Sequence, residues 1–171
     1  MFREIAAGED DAGSMSRPQK PRRDEARPSA PGSTRLAPAS PADATTTHLT
    51  FGSEADAASR ARQVLTEVLA GLSVPAPALE NARLVITELV ANALIHGTVP
   101  FDVEITTWPG AALVTVADTN PTLPELRRAP STEPHGRGLV IVDALADDWG
   151  VSGSASGGKT VWARLVWPVE G

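Results

Sequence analysis

Residues 88–97 read Glu88-Leu-Val-Ala-Asn92-Ala-Leu-Ile-His96-Gly97, and they set a carboxylate and a carboxamide on one edge of an otherwise apolar segment. A helix brings residues i and i+4 onto one face, so Glu88 and Asn92 stack on successive turns. Around them Leu84, Val85, Leu89, Ala93 and Leu94 are expected to hold that edge close to a core. A neutral amide oxygen suits a hard cation such as magnesium. A carboxylate can order or deprotonate an attacking hydroxyl beside a phosphate. The plainer reading is a helix with two polar residues on its wet side, and the pair alone fits both.

Working outward, this helix is expected over 78–96, with Gly97 as its stop and a Pro-bracketed loop, Val74-Pro-Ala-Pro77, before it. Upstream of that loop, apolar residues from 54 to 69 recur at helical spacing, with Ser53 as the candidate N-cap and Gly71 as the terminator. Residues 47–51 alternate polar and apolar, as a strand does. Downstream, Phe101, Val103 and Ile105 alternate with Asp102, Glu104 and Thr106. A Pro109-Gly110 turn then leads to Leu113, Val114 and Val116, which predicts an antiparallel hairpin. Residues 119–137 are rich in Pro, Gly and charge, a connection long enough to be functional. A helix over 138–146 and strands over 149–152 and 160–167 complete the order β-α-α-β-β-loop-α-β-β. That order predicts an α+β fold, a two-layer sandwich of a mostly antiparallel sheet with helices on one face.

Composition bounds the function. Residues 1–46 are Pro, Ala, Ser, Arg and acid without aliphatic periodicity, which predicts a disordered tail; 47–171 is expected to be the single folded domain. Charges in the tail cancel, so the folded part carries the whole formal net charge of −6. Clustered Lys and Arg are what phosphate backbones require, so no direct nucleic-acid partner is expected. No apolar run is long enough to span a bilayer and the start resembles no secretion signal, which predicts a cytoplasmic protein with no membrane partner. The chain has no cysteine, which removes disulfides and thiolate metal sites, and its three histidines sit in unrelated segments without zinc spacing.

Three further motifs carry chemistry. Gly153-Ser-Ala-Ser-Gly-Gly158-Lys159-Thr160 fits the P-loop string, but a P-loop needs a strand before it and a helix after it, whereas here a strand-like alternation follows. It reads as a hairpin turn. Asp118 ends an apolar strand; such a carboxylate can accept from an exocyclic amine, although Asp is also common as a loop cap. His135-Gly136-Arg137-Gly138-Leu139 sets two glycines immediately before a helix, where unpaired N–H groups and partial positive charge favour an anion. Its plainer reading is a Gly-rich turn with a solvated Arg137.

In order and spacing, Glu-x-x-x-Asn on a helix, Asp after a hairpin, Gly-Arg-Gly-Leu opening a later helix and Gly-Lys-Thr entering the last strand resemble the four boxes of the GHKL superfamily, the histidine-kinase-like ATPases with the Bergerat-type fold. The resemblance covers about 47–167, and within the superfamily the chain looks most like the anti-sigma-factor serine/threonine kinase branch. It implies the cofactors ATP and Mg2+: Asn92 would coordinate the metal, Glu88 would act as base, and Asp118 would bind the adenine amine. Gly136 and Gly138 would hinge a lid with Arg137 near the triphosphate, and Thr160 would support the adenine end. The partners implied are a sigma factor, an anti-sigma-factor antagonist phosphorylated on serine, and a second copy as a homodimer. Exposed residues of the first helix, around Arg60, Arg62 and Glu67, are a candidate interface. One departure is plain: the family's second box commonly reads Asp-x-Gly-x-Gly, whereas this chain has Asp118-Thr-Asn-Pro121. Side chains in place of glycine add bulk beside the pocket. The alternative is therefore a non-catalytic partner-binding module on the same fold with a degraded nucleotide site; an ATP-hydrolysing conformational machine ranks behind both.

Overall fold

The computed structural model describes residues 37–123, 138–153 and 157–169. They form β1 (Thr45–Phe51), α1 (Ala57–Ala70), α2 (Ala76–His96), β2 (Phe101–Trp108), β3 (Ala111–Asp118), α3 (Gly138–Leu145), β4 (Asp148–Gly153) and β5 (Lys159–Val166). The strands make one five-stranded sheet in the order β1-β2-β3-β5-β4. Every neighbouring pair is antiparallel. The α+β sandwich expected from the sequence is the observed architecture.

Alternation explains how sheet and helices meet. Phe101, Val103 and Ile105 of β2, Ala112, Val114 and Val116 of β3, and Val161, Ala163 and Leu165 of β5 all belong to the core, so these residues define the helix-facing side. Against them α1 buries Ala57, Ala61, Leu65 and Leu69, an unbroken i+4 stripe. From α2 come Ala82, Val85, Ile86, Leu89, Val90 and Ala93, and α3 adds Leu139 and Val142. Truncating a fully buried leucine of this layer, such as Leu65 or Leu89, costs about 2–5 kcal/mol. Where β1 meets β2, Phe51 lies opposite Phe101 with ring centroids 5.6 Å apart. The Arg60 guanidinium covers the outer side of Phe51 at 5.4 Å.

Two local expectations change. Ser53 does not cap α1. A turn closed by Ala57 N–H donating to the Glu54 carbonyl precedes the helix, and Asp56 occupies the cap position without a side-chain bond. Residues 53–56 are exposed, so nothing holds them in helix until Ala57 becomes the first buried residue. Leu84 is 49 % exposed rather than core-facing. The buried stripe of α2 runs through 82, 85, 86, 89, 90 and 93, and one residue back from Val85 rotates Leu84 by about 100° onto the outer surface. The helix also starts at Ala76, because Pro77 is tolerated in a first turn where its missing N–H has no intrahelical partner.

Candidate functional site

The polar edge of α2 runs from Glu88 through Asn92 to the helix end at His96, two turns or about 12 Å. Glu88 and Asn92 are both half-buried, held there by Val85, Leu89 and Ala93 beneath them. Burial pushes the Glu88 carboxyl above the usual carboxylate range. A base whose pKa rises toward neutrality accepts a proton more readily than an ordinary carboxylate.

The start of α3 closes on this carboxylate. A Cβ at Gly138 would stand 2.9 Å from Glu88 Oε2, the free end of a side chain that can swing aside, and 3.9 Å from the Glu88 carbonyl oxygen, so α3 begins directly beside Glu88. The first turn of α3, the end of a helix that carries partial positive charge and N–H groups without intrahelical partners, therefore lies beside Glu88. Gly136 and Arg137 lie outside the described residues.

At the far end of the edge, Asp118 closes β3 with its side chain on the helix-facing side of the sheet. Its Oδ1 accepts from Lys159 Nζ at 2.9 Å and from the Asn120 backbone N–H at 2.7 Å. The ammonium also reaches the His96 carbonyl, at 3.4 Å. Both charged side chains are sealed, with Lys159 1 % and Asp118 3 % exposed. A side chain at Gly97 would collide with the Ala93 carbonyl and meet Asp118 Oδ2 at 2.8 Å. The end of α2 thus packs directly on the carboxylate.

The glycine-poor second box has its own internal logic. Asn120 folds the loop back in an Asx-type turn on Asp118, and its Nδ2 donates to the His96 carbonyl at 2.6 Å. Its Oδ1 accepts from Thr122 N–H at 3.0 Å. Thr119 N–H donates to Thr98 Oγ1 at 3.1 Å. Asparagine and threonine side chains lace this loop to the C-terminal end of α2.

The sequence-predicted residues are therefore brought together unequally. Gly138 stands beside Glu88 at one end, Asp118 lies at the other, and Asn92 lies midway along the edge between them. Thr160 is half-buried and pairs between Ala117 and Ser152. Strand alternation turns it to the face opposite Lys159, Val161 and Ala163, so Lys159, not Thr160, meets Asp118. Lys159 is the site residue the sequence reading passed over. Its signal was its phase, two residues before Val161 in the inward-facing set. A shallow groove of about 620 Å³ lies elsewhere, between the outer sides of α1 and α2, and shares no residue with this site. Arg62, Glu67, Glu80, Arg83 and Leu84 line it, and Arg83 pairs with Glu80 at 2.7 Å. It reads as a solvated helix seam.

The two-layer α+β fold, with helices on one face of an antiparallel sheet, has relatives among known proteins. The family model for histidine kinase-like ATPase domains matches residues 51–165. The chain belongs to this family. A crystal structure of the RsbU and RsbW domains of Rv1364c from Mycobacterium tuberculosis is similar over 74 % of this chain and 34 % of that one, at 21 % identity and a TM-score of 0.54. The chain thus spans about a third of that structure's length. The NMR structure of the histidine kinase domain of the E. coli osmosensor EnvZ is similar over 64 % of this chain and 88 % of that one, at 23 % identity and a TM-score of 0.40. No curated protein matches the chain. The family is one of ATP-binding domains. Among the described residues no helix is long and apolar enough to cross a membrane.

Proposed function

We propose that the protein is an ATP- and magnesium-binding regulator of the anti-sigma-factor kinase kind, which sequesters a sigma factor and phosphorylates a serine on an antagonist protein. It would act in the cytoplasm as a homodimer. The observation that carries this reading is the half-buried Glu88–Asn92 edge of α2 meeting the glycine-opened start of α3. Family membership and the fold shared with an RsbW-containing structure support it.

The residues at this end fit the implied ligand. Bound ATP would supply the γ-phosphoryl group, and magnesium would neutralise charge on it. Asn92 Oδ1 offers the metal a neutral oxygen, and the start of α3 offers N–H donors to phosphate; the family resemblance would give Gly136 and Arg137, which lie outside the described residues, a place in a lid. Glu88, raised by burial, takes the proton of the attacking serine hydroxyl. Asp118 is the acceptor for the adenine amine. At that end the fit is incomplete: the carboxylate already holds the Lys159 ammonium.

Calorimetric titration of ATP with and without magnesium, on the wild type and on Asn92→Ala, tests the nucleotide site. Magnesium-dependent binding lost in the variant is expected; binding by both proteins alike would sink the assignment. For transfer to serine, Glu88→Ala should slow the reaction by about a hundredfold or more, the usual worth of a positioned base. A second reading is favoured by the Asp118–Lys159 ion pair, namely a non-catalytic partner-binding module with a degraded nucleotide site. Partner capture insensitive to ATP and magnesium would select it.

A further inference from the structure

Lys159 and Asp118 are the only buried charged residues among the described ones. Moving an ammonium and a carboxylate out of water is costly, and the cost is recovered only through close mutual contact and further hydrogen bonds. Both conditions hold: 2.9 Å separates Nζ from Oδ1, and the His96 carbonyl and Asn120 N–H supply the additional bonds. The two residues face each other across neighbouring strands, with Asp118 of β3 in register with Lys159 of β5. The lysine that lends 153–160 the look of a P-loop is therefore an interior residue of the sheet.

What that ammonium presents to Asp118 is an N–H donor aimed at a carboxylate oxygen. The amino group of an adenine presents the same chemistry. We propose that Lys159 is an internal competitor for the base: its ammonium occupies the hydrogen-bonding position that an exocyclic amine would take on Asp118, so that nucleotide affinity is set by the release of Lys159 from the carboxylate. This inference rests on the reading of Asp118 as the adenine acceptor. It makes Lys159 an affinity- and specificity-determining residue.

A purely structural lysine would neutralise Asp118 and close the carbonyl end of α2, with no preference among ligands. The two roles separate on the identity of the base. Lys159→Leu keeps an aliphatic stem but ends short of the carboxylate, leaving Asp118 without its cation and open to an amine. ATP supplies a donor there, whereas inosine triphosphate carries an oxygen at the same ring position.

The experiment is calorimetric titration of ATP and of inosine triphosphate, each with magnesium, into the full chain as wild type, Lys159→Leu and Lys159→Ala, with circular dichroism to identify the folded variants. ATP should bind a folded variant about ten- to a hundredfold more tightly than the wild type, the worth of one hydrogen bond to a charged acceptor, while inosine triphosphate gains nothing. In thermal melts ATP should raise the variant's Tm more than the wild type's, since a ligand that binds only the native state stabilises by mass action. If neither variant folds alone, a cooperative melt regained with ATP but not with inosine triphosphate supports the proposal, and rescue by neither or by both overturns it. Equal ATP affinity in wild type and variant, or equal gains for the two nucleotides, overturns the competitor role and leaves the nucleotide assignment standing. Failure of wild type and folded variants alike to bind ATP overturns both.

Discussion

Glu88 and Asp118 are carboxylates at the two ends of the polar edge of α2, and their surroundings are built in opposite ways. Glu88 is half-buried beside the start of α3, and desolvation makes its charged form costly. Asp118 is sealed, with an ammonium and a backbone N–H both on Oδ1. A carboxylate left under strain of desolvation is prepared for a proton or a cation that arrives from outside. One satisfied from within contributes to the fold and yields to a ligand only by exchange. The site is thus left open to a partner at the Glu88 end and already satisfied at the Asp118 end.

The sharpest way to break that comparison is Asp118→Ala. It leaves Lys159 buried and unpaired, and is expected to cost about 3–5 kcal/mol of stability in urea unfolding. Glu88→Ala should instead shift the urea midpoint far less, while slowing the proposed phosphoryl transfer by about a hundredfold or more. A comparable midpoint shift in the two variants would erase the distinction. Smaller in effect, Asn120→Ala removes the bond to the His96 carbonyl and should cost about 1 kcal/mol, read as a shift in the same midpoint.

The smallest effect is a pH dependence. Because the folded-state pKa of Glu88 lies above its ordinary value of 4.5, the folded protein binds more protons than the unfolded chain between those two values. Its contribution to stability is full below the unfolded pKa and is lost as pH rises through the folded one. Glu88→Gln should therefore match the wild type in acid and be the more stable protein at neutral pH. A stability gap that stays constant across the titration would show that desolvation of Glu88 is not felt.

Much of this was legible in the chain. Period-two alternation in 101–106 and 113–116, and the i+4 stripe of α1, come from local burial, which a sequence displays directly. The Glu88–Asn92 edge was legible for the same reason, since both residues lie within two turns of one helix. Ser53 and Leu84 were misread because a cap and a helix face depend on where burial begins, and that is decided by the sheet beneath. The Asp118–Lys159 pair was out of reach for a different reason. Its members are 41 residues apart, and only the β3–β5 register brings them face to face. Phase alone marked Lys159 as inward, but nothing local names its partner.

The strand order β1-β2-β3-β5-β4 also has a kinetic consequence. β5 follows every other described element in the chain, yet it fills the slot between β3 and β4. During synthesis the Glu88–Asn92 helix and the β2–β3 hairpin emerge well before the strand that carries Lys159. Pairings that close long loops form late because their entropy must be met before their contacts exist. Until β5 emerges, β3 has no strand on the edge away from β2, and Asp118 has no ammonium beside it. Insertion of β5 covers that edge and brings Lys159 onto Asp118 in a single event.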